Sequence, residues 1–376
     1  MSEARPGPGL DGVIALQSSI SDLGAETGRL AYRGYAVTDL AAGSTFEETA
    51  YLLLRGDLPS RAELAEFTKH LRGSQRLSSI ALKALRLAPA GVDPMLALRT
   101  ALAAAAMDQP ASLPPTAEAA WGQGMRLIGQ APTAVAAFHR MRQALRPESP
   151  RKGMSFAANC LRMLSGAEPD PEAAADFDAA LILRADNELN PSTFAARVTA
   201  ATGADVFAGV AAATAALSGP RHGWHTRNVI QMLEEIGSPD RVTAWLERRG
   251  GGKPKIPGFG HQVYRGEDPR TALLRPLVER QCRRAGLESL HRTARALEEA
   301  VVARLDQHAI VDFYLAPLYR ALGIPADLFP AIFAVSRMPG WVAHILEQYQ
   351  DERLIRPRAE YVGPAPRSYI AMRRRR

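Results

Sequence analysis

Apolar residues recur along most of this chain at helical spacing. Leu290, Ala294, Leu297, Val301 and Leu305 lie three or four positions apart and form one stripe. Alternating runs of β-branched residues are rare, and alanine and leucine dominate, so the pattern predicts an all-α protein. Helix starts are marked. Ser44-Thr45-Phe46-Glu47 has the spacing of a capping box before the apolar segment Ala50 to Leu54, and Gly56 and Pro59 end that helix. Ser60-Arg61-Ala62-Glu63 repeats the box for the next one. The stretch Val206 to Leu217 (VFAGVAAATAAL) is small and apolar all round. It predicts a helix buried on several sides, either in an ordinary core or at a subunit interface.

The breaks between helices are equally legible. Asp108 to Pro115 and Arg146 to Arg151 are Pro-rich and read as surface connections. Gly250 to Lys255 (GGGKPK) cannot hold a helix and predicts a flexible loop. There is no internal repeat and no glycine loop of the Walker or dinucleotide type.

Composition narrows the function classes. With 376 residues the chain is long enough for a large core, in one domain or two unequal ones. No apolar run is long enough to span a bilayer, and the N-terminus lacks a basic-then-apolar pattern, so a cytoplasmic protein without membrane contact is expected. Cys160 and Cys282 sit in no metal-type spacing and are expected as small core residues. The net charge of +7 admits an anionic partner. The one dense basic run is Arg373 to Arg376, and no nucleic-acid signature accompanies it. Arginines scattered singly suit carboxylates and phosphates better than a groove, so nucleic acid is not an expected partner.

Candidate chemistry centres on two histidines beside glycines at breaks: Gly219-Pro220-Arg221-His222-Gly223 and Gly258-Phe259-Gly260-His261. A helix N-terminus there lowers a histidine's pKa and favours the neutral imidazole. Taken alone, each reads more readily as a packed or capping residue than as a functional one. Asp312, in Ile310-Val311-Asp312-Phe313-Tyr314, is flanked by apolar and aromatic neighbours. Burial there is expected to raise its pKa and make it a better base. Asp268-Pro269-Arg270, Ser336-Arg337 and Arg356-Pro357-Arg358 offer guanidinium forks for carboxylates.

These elements stand in a recognisable order. Gly9 to Val13, Gly28 to Tyr35 and Thr45 to Pro59 are followed by Glu188-Leu189-Asn190 and Ser192-Thr193-Phe194. Then come Gly219 to Gly223, Pro257 to Tyr264 with Asp268-Pro269-Arg270, Val311 to Tyr314, Phe333 to Trp341, and Arg356 to Arg358. In that order they resemble citrate synthases of the compact bacterial type, over about residues 9 to 363.

The resemblance implies an all-α citrate synthase fold. A large domain, residues 1–225 and 318–376, would be closed by a small one, residues 226–317. It also implies a reaction: acetyl-CoA condenses with oxaloacetate, and the thioester is then hydrolysed to citrate and CoA. By the same resemblance His222 donates to the thioester carbonyl, Asp312 removes the methyl proton, and His261 polarises the ketone. Arg270 and Arg337 bind the carboxylates, Arg356 reaches the site from the other subunit of a homodimer, and Phe333 lines the pocket. Arg265 contacts CoA phosphate, and Lys253, Lys255 and Gly258 lie where the adenine packs. No metal and no separate cofactor is implied, because the CoA thioester is a substrate.

Two departures bear on substrate. The family has Asp-His-Glu where this chain has Asp186-Asn187-Glu188, so Asn187 stands for a histidine that binds oxaloacetate; it can donate a hydrogen bond but carries no charge. Arg184, three residues earlier, stands where the family often has another histidine and either supplies the missing charge or forms a structural ion pair. After His222 the chain reads Gly223-Trp224-His225, and the tryptophan either reshapes the acyl-CoA side or points away. These departures leave open a condensing enzyme for another acyl-CoA or 2-oxo acid, such as a 2-methylcitrate synthase. A non-catalytic paralogue is a third reading.

Overall fold

The computed structural model describes residues 8–10, 12–24, 28–108, 115–249, 254–260 and 266–375. After a three-stranded antiparallel sheet (β1 Ser21–Gly24, β2 Arg29–Tyr32, β3 Tyr35–Ala36) the chain is helical. The first helices are α1 Val37–Gly43, α2 Phe46–Arg55, α3 Arg61–Gly73, α4 Ser79–Leu87, α5 Pro94–Ala105 and α6 Ala117–Met141. Next come α7 Phe156–Ser165, α8 Pro171–Ile182, α9 Pro191–Ala200, α10 Val206–Leu217 and α11 His225–Ile236. The last are α12 Val242–Arg248, α13 Pro269–Arg284, α14 Glu288–Leu305, α15 Val311–Ala321 and α16 Phe329–Asp351.

Local sequence sets these boundaries. Ser60 caps α3 in a full capping box with Glu63. Gly56 ends α2 in the left-handed conformation at φ 97°. The cap of α2 lies one residue later than its sequence box suggests. Thr45 accepts from the Glu48 amide, while Glu47 is buried and accepts from the Phe156 amide at 2.8 Å. That displacement follows from packing: Glu47 caps a second helix, α7, across the interface.

The buried core runs through α16, whose residues from Phe329 to Ile345 are covered throughout. Around it pack α6, α9, α10 and α2. α10 is buried along Val206, Phe207, Val210, Ala213 and Leu217, but Ala208, Ala211, Ala212, Ala215 and Ala216 are only half-buried. The helices α11, α13, α14 and α15 pack mainly on one another. Cys160 and Cys282 are buried free thiols, and burial pushes both up to about 12. Arg146 to Arg151 forms an irregular surface connection. Most of the Asp108 to Pro115 break, and Gly250 to Lys253, lie outside the described residues. No helix among those described is long and apolar enough to cross a membrane.

Candidate active site

A cavity of about 400 Å³ opens between the 184–191 loop, the turn before α11, the start of α15 and the middle of α16. His222, Asp312, Asn187, Arg270, Phe333 and Arg337 all line it, although they span 151 positions of sequence.

Close backbone approaches put them there. A Cβ on Gly340 would lie 2.4 Å from the Ala185 carbonyl and from Asp186 Oδ1, so only glycine lets α16 press against the 184–187 loop. In that loop Glu188 takes a left-handed φ of 52°, and its amide donates to Asp186 and Ser21. Asp186 is itself buried between Ser21, Tyr32 and His344. A Cβ on Gly223 would fall 2.1 Å from the Leu217 carbonyl, which holds the His222 turn against the end of α10. Gly258, at φ 84°, fits between Val229 and Phe313. Its carbonyl accepts from the Ile310 amide (2.9 Å), and the Gly260 amide donates to the His308 carbonyl (3.0 Å). The short pairing of 258–260 with 308–310 therefore leads directly into α15, two residues before Asp312.

His222 lies 2.9 Å through Nε2 from the Ser192 hydroxyl, which the Trp341 indole N–H also reaches, at 3.2 Å. The single Ser192 proton has two acceptors within reach, Asn190 Oδ1 at 2.7 Å and His222 Nε2; when it turns to His222, Nε2 accepts and Nδ1 carries the hydrogen. Burial, then Arg337, His225 and Arg184, push the His222 pKa down to about 3, so the ring is neutral. The sequence reading expected that neutrality from a helix N-terminus. Its cause is burial among cations.

Asp312 corrects another expectation. It is buried, and burial alone would raise its pKa, but Arg184, His225, the Thr226 hydroxyl and Arg270 outweigh that and hold it at about 2. Arg184 Nη2 lies 2.9 Å from Asp312 Oδ1, and Thr226 donates to the same oxygen. A flanking apolar sequence could not reveal a cation from a distant loop. Of the two readings of Arg184, a replacement charge or a structural ion pair, the structure shows an ion pair, with Asp312; Ser192 and Trp341 stood within family-like motifs but without a role, and Thr226 gave no signal.

The guanidinium groups differ in their commitments. Arg270 is buried in a two-pronged ion pair with Asp268, at 2.8 and 2.7 Å. Arg337 donates through Nε to the Arg184 carbonyl, and its buried Nη1 has no hydrogen-bond partner among the described residues. Burial lowers the Arg337 pKa to about 10, still charged at neutral pH. Asn187 Oδ1 is likewise buried without a partner. Phe333 packs edge-on to His222 and carries the Arg184 guanidinium 3.5 Å above its ring.

Other expected residues lie elsewhere. Arg356 is exposed and does not enter the cavity of its own chain; it lines a separate cleft of about 1230 Å³ between the N-terminal segment and the end of α16. Lys255 is exposed outside the cavity. His261, Arg265 and Lys253 lie outside the described residues. Trp224 is half-buried under Arg227, 5.0 Å from its ring, and does not line the cavity. His222 and His225 form no metal group: no cluster of three or more His, Cys, Asp or Glu among the described residues could hold an ion.

Comparison with known proteins gives matches along the whole chain. The family model described as "Citrate synthase, C-terminal domain" matches residues 9–358. A citrate synthase of Acidithiobacillus ferridurans is 41% identical over 100% of both chains. A 2-methylcitrate synthase of Mycobacterium tuberculosis is 36% identical over 94% of this chain and 90% of that protein. Among solved structures, citrate synthase from Thermoplasma acidophilum, in ternary complex with carboxymethyl coenzyme A and oxaloacetate, superposes with a TM-score of 0.91 at 30% identity, covering 97% of this chain and 98% of that one. The matches run essentially end to end in sequence and in fold, and the chain belongs to the citrate synthase family.

Proposed function

We propose that this enzyme condenses acetyl-CoA with oxaloacetate and hydrolyses the resulting thioester, giving citrate and free CoA. The observation that carries this reading is one cavity holding a neutral imidazole, an ionised carboxylate and a buried guanidinium nitrogen with no partner among the described residues. The methyl protons of a thioester are very weakly acidic, so a base succeeds only where the enolate oxygen is stabilised as charge develops. Asp312 takes the methyl proton. The carbon electron pair moves into the enolate, and His222 donates to its oxygen. The enolate carbon then attacks the ketone. Its oxygen receives a proton from His261, a role assigned by resemblance, and water cleaves the thioester.

Arg337 and Arg270 take the carboxylates of the 2-oxo acid, over Phe333. Asn187 faces the same ligand. Lys253, Lys255, Gly258 and Arg265 serve the CoA moiety. Residues 226–317 form the small domain that closes over residues 1–225 and 318–376; the mutual packing of α11, α13, α14 and α15 supports that division. Closure keeps the enol from water until it attacks.

The working unit in this reading is a cytoplasmic homodimer. Exposed Ile14, Tyr361, Val362 and Tyr369, the open cleft around Arg356 and the half-buried alanine face of α10 support a second copy as their cover. Arg356 then reaches the cavity of the partner.

A second reading is condensation with another acyl-CoA or 2-oxo acid, as a 2-methylcitrate synthase would perform. Asn187 favours it, because a buried amide oxygen without a partner among the described residues stands where the family binds oxaloacetate with a histidine. Free thiol release from acetyl-CoA and propionyl-CoA, measured with a panel of 2-oxo dicarboxylic and monocarboxylic acids, decides. Release fastest with acetyl-CoA and oxaloacetate supports the first reading. Release only with another pair replaces it with the second, and no release with any pair leaves a non-catalytic paralogue.

A further inference from the structure

Arg184 is nearly inaccessible, with 3% of its side chain exposed, yet it lines the substrate cavity. Its guanidinium is fixed on three sides. It lies flat over Phe333, Nη1 donates to the Thr226 hydroxyl at 2.8 Å, and Nη2 meets Asp312 Oδ1 at 2.9 Å. Thr226 in turn donates to that same oxygen at 2.5 Å. Oδ1 of Asp312 thus accepts one hydrogen bond, from Thr226, and lies in ion-pair contact with the Arg184 guanidinium, while Oδ2 makes no hydrogen bond to the described residues. This asymmetry is what a base needs. A carboxylate held by one oxygen cannot rotate away, and its other oxygen is presented in a fixed direction.

We propose that Arg184 is a positioning residue for the Asp312 base, clamping Oδ1 together with Thr226 so that Oδ2 meets the acyl-CoA methyl group. The inference rests on the condensing reaction proposed above. In the step concerned the methyl C–H bond breaks, the proton passes to Oδ2, and the electron pair becomes the enolate that His222 stabilises. The clamp has an electrostatic consequence. The charged and titratable groups facing Asp312 are Arg184, His225 on α11, Arg270 on α13, His222 before α11 and Tyr319 on its own helix, with the Thr226 hydroxyl beside them. Burial opposes ionisation, so loss of the Arg184 charge leaves a carboxyl that protonates more readily.

The test uses the full-length protein with Arg184→Gln and Arg184→Lys, each paired with the same protein carrying Asp312→Asn. Difference infrared spectra within each pair isolate the Asp312 carboxyl between pH 4 and 8. Deuterium uptake into the acetyl methyl of acetyl-CoA and steady-state thiol release are followed over the same range. Asp312 is expected to stay ionised throughout in the unmodified protein. In Arg184→Gln a protonated carboxyl band grows as pH falls towards 4, and the acid limb of kcat, which lies below pH 4 in the unmodified protein, moves up by about two pH units or more into the measured range. Arg184→Lys keeps the charge but loses the bridge to Thr226. Its acid limb stays low while kcat drops by about 10- to 100-fold, with a much smaller change in the KM of the 2-oxo acid.

An Asp312 carboxyl that remains ionised down to pH 4 in Arg184→Gln overturns the clamp. So does an unchanged kcat in both variants. If the unmodified protein releases no thiol with any pair, the proposed reaction fails on its own, and the infrared comparison still decides the clamp. Should Arg184→Gln fail to fold, Thr226→Val removes the hydrogen-bond donor to Oδ1 and must produce the same upward displacement in smaller measure; no displacement there overturns the clamp as well.

Discussion

The His222 imidazole and the Ser192 hydroxyl lie 2.9 Å apart, although thirty positions separate them in sequence. Ser192 begins α9 beside the Asn190 cap, and Trp341 on α16 fixes it from the other side. This contact orients the ring, and Asn190 Oδ1, 2.7 Å from the same hydroxyl, competes for its proton. Ser192→Ala is expected to lower kcat by about 2- to 10-fold, the range set by losing about 0.5–1.5 kcal/mol for a hydrogen bond between neutral groups, with little change in KM. Steady-state thiol release is the check. A KM effect alone would mean that Ser192 serves binding and not the imidazole.

Among the described residues that line the cavity, Asp312 is the one carboxylate that is both buried and held ionised. Asp312→Ala should abolish deuterium uptake into the acetyl methyl of acetyl-CoA while leaving 2-oxo acid binding measurable by calorimetry. Retained uptake would assign the base to another residue. Because Asp312 is held at about 2 and His222 at about 3, neither titrates between pH 5 and 8 in the empty protein. Any limb of kcat/KM in that range must then come from another group.

The helices, their caps and the buried thiols were readable along the chain because they depend on neighbours a few residues apart. Ser60 with Glu63 is such a case, and so is Gly56. The site residues became readable only through their order across the whole chain, since a histidine beside glycine is ambiguous in isolation. What sequence could not supply was charge brought from afar. Arg184 reaches Asp312 across 128 positions and reverses the direction of its pKa shift. The cap of α2 moved for the same reason, because Glu47 is used by a helix that begins more than a hundred residues later.

Asn187 lines the cavity, and its buried amide oxygen has no hydrogen-bond partner among the described residues. If oxaloacetate is the substrate, a histidine there adds a donor able to carry charge. Asn187→His should then lower the KM for oxaloacetate by about 10- to 100-fold, matching about 1.5–3 kcal/mol for a charge-assisted hydrogen bond. An unchanged or higher KM would indicate a pocket organised for a different 2-oxo acid. The panel of acids used for thiol release reads both outcomes in one series.

A second pair of carboxyls lies away from the cavity, where α2 and α8 meet. Asp178 accepts from the Phe46 amide at 3.0 Å, and Glu47 accepts from the Phe156 amide. The remaining oxygens, Asp178 Oδ1 and Glu47 Oε2, are buried without hydrogen-bond partners among the described residues. Burial and the charge of Glu47 push the Asp178 pKa up from 3.8 to about 7. Between those two values the folded protein holds a proton that the unfolded chain has released. Stability therefore falls as pH rises through this window, and the penalty is complete above about pH 7. Asp178→Asn keeps an acceptor for the Phe46 amide, adds an N–H donor facing the same buried space, and removes the titration. It should stabilise the protein at pH 8 by something on the order of 2–4 kcal/mol, with the gain shrinking towards zero near pH 4. Paired denaturant titrations at pH 4, 6 and 8 read this directly. A gain that does not depend on pH would show that Asp178 is already ionised in the folded protein and that its buried oxygen has a partner.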